Sequence, residues 1–137
     1  MSISWPQLPS VGDIVWTKFP RNFGQPGPKP RPALVTKVSP STNEVEVAYG
    51  TSQKTGKPYQ GEFVVSNTDP EFSSTGLSYS TKFNLRETVK LPFDNIWFEK
   101  SPGCRLNNPP PKMGSLGPHS RQNVRNILTL LKQLNLI

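Results

Sequence analysis

Prolines and glycines interrupt this chain so often that no long helix fits in its first two thirds. There are 16 Pro and 10 Gly among 137 residues, and what lies between them is a series of short apolar runs rather than a helical period. Runs of that kind, bounded by Gly, Pro, Ser and Asn, read as strands of an antiparallel β barrel or sandwich. The strand candidates are 13–19, 33–38, 44–49, 62–65, 89–91 and 96–98. The third alternates most clearly, with Val45, Val47 and Tyr49 on one face and Glu44, Glu46 and Ala48 on the other, so it reads as half-buried. Ser39-Pro40-Ser41-Thr42-Asn43 has the composition of a hairpin turn between the second and third strands.

The length suits one domain with a single core: a barrel over about 11–99, an extended Pro-rich segment over 101–118 and a C-terminal amphipathic helix over about 120–135. In that helix Val124, Ile127, Leu128, Leu131 and Leu134 recur at helical spacing. Packing on the barrel is the first use for this stripe and a dimer contact the second. The segment 101–118 has little to pack and reads as a linker or a surface-hugging strip. Lys and Arg outnumber Asp and Glu by 16 to 9, a formal charge of +7, which favours polyanionic partners such as nucleic acid. Cys104 is the only cysteine and His119 the only histidine, so neither a disulfide framework nor a thiol–imidazole metal site is expected. Without a signal-like amino terminus or an apolar run of spanning length, a cytoplasmic location and no membrane partner are expected.

Arg31 stands in Gly27-Pro28-Lys29-Pro30-Arg31-Pro32-Ala33, a basic loop stiffened by prolines that leads into an apolar strand. The restricted backbone pre-places the guanidinium, whose planar fork of donors suits phosphate oxygens. The third strand runs into Tyr49-Gly50-Thr51-Ser52-Gln53-Lys54, two hydroxyls, an amide and an ammonium after a glycine. If residues 32–38 pair with 44–50 as a hairpin, the start of one strand lies beside the end of the next, and Arg31 meets Thr51 and Ser52 at one edge.

Gly12-Asp13-Ile14-Val15-Trp16, Arg31-Pro32-Ala33-Leu34-Val35, Val47-Ala48-Tyr49-Gly50-Thr51-Ser52-Gln53 and Thr75-Gly76-Leu77 together resemble the successive blocks of the MazF/PemK toxin family of type II toxin–antitoxin systems. The resemblance covers roughly residues 11–91. It implies an SH3-like, partly open antiparallel β barrel with helices, a homodimer, and an endoribonuclease that cleaves single-stranded RNA, including mRNA, without metal or other cofactor. A cognate antitoxin would wrap the RNA-binding groove. By the same resemblance Arg31 is the catalytic acid or transition-state stabiliser, and Thr51, with Ser52 beside it, holds the scissile phosphate.

The remaining candidates for RNA binding are Lys18, Arg21, Phe23, Lys29, Lys54, Lys57, Tyr59, Tyr79, Thr81 and Lys82, charges to follow the backbone and aromatic faces to stack on bases. Phe19 and Phe83 belong to the core on this reading. The chain departs from the family in two places. No carboxylate or imidazole stands in Gly24-Gln25-Pro26-Gly27-Pro28-Lys29-Pro30, and Tyr79 and Thr81 occupy the positions of an Arg-x-Asp signature. A general base is therefore not evident; catalysis would rest on Arg31, Thr51 and the charges of Lys29, Lys54 and Lys82, with Glu62 or Asp13 as candidates to act from an unexpected position. The alternatives are a non-catalytic RNA-binding module and an inhibitor of DNA gyrase resembling CcdB.

Overall fold

The structure, a computed structural model, describes residues 2–20, 24–103 and 109–137. Among these the elements are β1 (Asp13–Thr17), β2 (Arg31–Ser39), β3 (Glu44–Thr51), β4 (Glu62–Val65), a 3-10 helix (Phe72–Thr75), β5 (Thr81–Pro92), β6 (Lys112–Ser115) and the helix α1 (Pro118–Gln133). The strands form an antiparallel sheet in the order β4-β5-β3-β2-β1-β6. It curls into a partly open barrel with a C-terminal helix, the mainly β architecture expected. The 3-10 helix reaches across the gap between the two edge strands, where the Ser74 hydroxyl donates to the Ser115 carbonyl at 3.0 Å.

Both faces of the sheet are covered. Ile14, Leu34, Ala48, Phe63, Phe83 and Leu85 form a core under α1, which contributes Val124, Ile127, Leu128 and Leu131. Leu131 has no exposed surface, a burial that stabilises the fold by about 1.5–3 kcal/mol relative to exposure. Leu134, expected on the same stripe, follows the helix as its C-cap and stays exposed. On the other face Val15, Ala33, Val35, Val45, Val47 and Leu91 pack with Phe93 and Phe98, beneath Trp5 and Leu8. Phe19 and Phe83 are core residues, as expected. Strand β3 is buried on both faces where Ala48 and Gly50 lie, not on one face alone.

Two bulges decide which residues reach which face. In β2, Thr36 is an extra residue between the pairs Val35–Val47 and Lys37–Glu46, and its hydroxyl is 2.7 Å from a Glu46 carboxylate oxygen. In β5, Tyr49 pairs with Asn84 and Ala48 with Thr88, leaving Leu85, Arg86 and Glu87 without partners on β3. An odd insertion inverts the alternation. Phe83 and Leu85 thus join the core under α1, while Val89 and Leu91, of the same parity, join the opposite one.

Several boundaries differ from the sequence expectation. Strand β1 stops at Thr17 rather than at residue 19, and the strand expected at 89–91 is the end of the much longer β5. Residues 96–98 are not a strand. The Asp94 carboxylate accepts from the Ile96 and Trp97 amides, which turns the chain and leaves Phe98 one bridge to Thr17. Part of segment 101–118 is β6, and Leu116 lies in the core. Backbone pairing with β1 needs no apolar period, which is why this strand was not visible in the sequence. Helix α1 begins after Gly117, which has no side chain to cap it. Glu71, far away in sequence, accepts from the Ser120 amide at 3.3 Å instead, supplying the negative charge a helix N-terminus favours.

Candidate functional site

Arg31 is the first residue of β2 and Thr51 the last of β3. The pair Ala33–Tyr49 fixes the register at this end, and one further step of two residues sets Arg31 opposite Thr51. Gly50 makes the approach close: a Cβ there would collide with the Pro32 carbonyl and stand 2.7 Å from the Phe83 ring. The loop before Arg31 is anchored where the Gly27 amide donates to the Lys18 carbonyl at 3.1 Å.

Two clefts meet at Arg31. One is lined by Arg31, Thr51, Ser52, Tyr79 and Thr81 over an apolar floor that includes Trp16, Leu77 and Met113. The other is lined by Phe19, Pro20, Lys29, Arg31, Tyr49 and Glu87. Arg31 is half-buried and forms no ion pair with any described carboxylate. Thr51 Oγ1 accepts from the Gln53 amide at 3.2 Å, a bond that orders the turn without using the hydroxyl's own donor. Ser52 is exposed beside it.

The other sequence candidates are placed less uniformly. Tyr79 is exposed at the rim of the first cleft. Thr81 is buried, and its hydroxyl donates to the Tyr79 carbonyl at 2.8 Å, so it shapes that rim. Lys29 is exposed in the second cleft. Lys18 is paired with Glu99 at 3.0 Å. Lys54, Lys57 and Tyr59 are exposed on the loop after Thr51, outside both clefts. Lys82 is buried, with Nζ 3.1 Å from Glu62 and 5.6 Å from the centre of the Tyr59 ring. Arg21 and Phe23 lie outside the described residues.

The two carboxylates considered as a base are engaged elsewhere. Asp13 is buried, accepting from the Ser115 hydroxyl at 2.7 Å and the Ser10 amide at 2.8 Å, with Lys112 at 3.6 Å. Glu62 accepts from both Lys82 and the Tyr59 amide. Neither lines a cleft with Arg31. The carboxylate that does is Glu87, which the sequence reading missed. It stands in Arg86-Glu87-Thr88, where no motif marks it, and only the bulge in β5 carries it to that position. Among the described residues no three His, Cys, Asp or Glu side chains gather as they would around a metal ion. Nor is any described helix long and apolar enough to cross a membrane.

Neither a protein-family model nor a curated protein sequence matches this chain.

Proposed function

We propose that this protein is an endoribonuclease that cleaves single-stranded RNA by attack of a 2′-OH on the adjacent phosphate. What supports the reading is an uncompensated guanidinium, Arg31, sharing one cleft with the Thr51 and Ser52 hydroxyls. As the O2′–P bond forms and the P–O5′ bond breaks, negative charge grows on the non-bridging oxygens. Arg31 and the two hydroxyls are the donors that stabilise it. The products are a 2′,3′-cyclic phosphate and a 5′-hydroxyl. Because the nucleophile is internal to the substrate and the compensating charge is a side chain, the reaction runs without metal or cofactor on this reading. Tyr79, exposed at the rim, offers a ring face on which a flanking base stacks.

The resemblance to MazF and PemK toxins adds the biological frame: mRNA as the substrate, a homodimer as the working form, a cytoplasmic setting and a cognate antitoxin that covers the groove. The test is cleavage of a single-stranded RNA in EDTA, beside an all-DNA strand of the same sequence. Arg31→Ala is expected to lower kcat by about 10²–10³-fold, the loss typical of removing one charge-stabilising donor. Cleavage of both strands alike, or an Arg31→Ala variant as fast as the parent, would refute the proposal. Salt-sensitive RNA binding with no turnover would support the binding-only module instead.

A further inference from the structure

We infer that Glu87 accepts the proton of the attacking 2′-OH, an assignment that rests on the ribonuclease reading above. The sequence has nine acidic residues, and every one except Glu87 has a hydrogen-bond or ion-pair partner among the described residues. Glu87 is exposed, and it shares its cleft with Arg31 and Lys29. Its position follows from the β5 bulge. The three residues without partners on β3 lie between the Ala48 and Tyr49 pairings, and Tyr49 packs against the core face to which Ala33 and Val35 also belong.

The arrangement around Arg31 is two-sided, with hydroxyls in one cleft and a carboxylate in the other. In-line displacement needs that asymmetry, since the nucleophile and the leaving oxygen occupy opposite sides of the phosphorus. A phosphate held by Arg31 presents its 2′-OH to the Glu87 cleft and its 5′-oxygen to the Thr51 cleft. Glu87 takes the 2′-OH proton as the O2′–P bond forms. The P–O5′ bond breaks, the 5′-oxygen takes a proton from water, and Glu87 returns its proton to the solvent. Lys29 and Arg31 are the cations lining the cleft with Glu87, and Tyr49 is its other ionisable group.

The experiment compares the parent, Glu87→Gln, Glu87→Asp and Arg31→Ala in EDTA on one RNA, with affinity measured on the 2′-deoxy version of that strand. Glu87→Gln is expected to lower kcat by about 10²–10⁴-fold, the range of a general base. Affinity stays the same or tightens, since a negative charge near the phosphates is removed. Glu87→Asp recovers part of the rate, and thermal melting of all the Glu87 variants matches the parent because the side chain is exposed. If Glu87→Gln cuts as fast as the parent while Arg31→Ala is slow, Glu87 is not the base and the ribonuclease reading stands. If the parent does not cut RNA, that reading fails and this assignment fails with it.

Discussion

Arg31 and Lys82 are both cations that the sequence marks for RNA, and the molecule uses them in opposite ways. Lys82 is 6% exposed, with its ammonium 3.1 Å from Glu62 and near the Tyr59 ring. Arg31 is half-buried at the meeting of two clefts, and no described carboxylate pairs with it. The same contrast separates Glu62 from Glu87. A charge neutralised by a neighbouring strand joins β4 to β5 and is unavailable to a ligand. A charge left unneutralised at a cleft keeps its attraction for an incoming phosphate.

The largest expected effect tests the closed pair. Lys82→Ala leaves the Glu62 carboxylate without its cation, and urea denaturation should show a loss of about 3–5 kcal/mol. The double variant Lys82→Met with Glu62→Gln should recover most of that stability, since the isolated charge is gone and the acceptor for the Tyr59 amide remains. A single variant as stable as the parent would show that the pair does not hold the edge of the sheet. Gly50→Ala comes next. Its Cβ meets the Pro32 carbonyl, so about 1–3 kcal/mol of stability should go, with cleavage falling further than stability because Arg31 and Thr51 are pushed apart. Equal losses in the two measurements would mean that Gly50 serves packing alone.

The smallest effect concerns the loop outside the clefts. Lys57→Ala should weaken RNA binding and make the slope of log affinity against log salt shallower by about 0.7, the contribution of one phosphate contact on a single strand. An unchanged slope would remove Lys57 from the RNA path. It would also concentrate recognition at the clefts beside Arg31.

The second and third strands were legible because each carries its signal locally: a Pro-stiffened entry, an apolar run, a turn-forming Ser-Pro-Ser-Thr-Asn and a clean alternation. Pairing them by turn and length alone puts Arg31 beside Thr51, although the bulge at Thr36 shifts the half nearer the turn. Helix α1 was legible from its period. Strand β5 was mostly hidden, because the bulge inverts its alternation, so that Phe83 and Val89 serve different cores. Strand β6 was hidden because it pairs through its backbone and carries no apolar pattern. Lys82 and Lys29 look alike in sequence, and only the position of Glu62 across the β4–β5 ladder separates them.

By itself the sequence determined the class of fold, the central hairpin, the C-terminal helix and the convergence of Arg31 with Thr51 and Ser52. Those features depend on residue periods and turn chemistry that act over a few positions of the chain. Tertiary structure alone decided which carboxylates were taken up by partners and which one lines a cleft with Arg31. The reason is physical: a three-residue bulge and a pairing across strands set where a charge ends up, and neither leaves a mark in the neighbouring residues. Glu87 lies more than fifty positions from Arg31 along the chain and lines the same cleft.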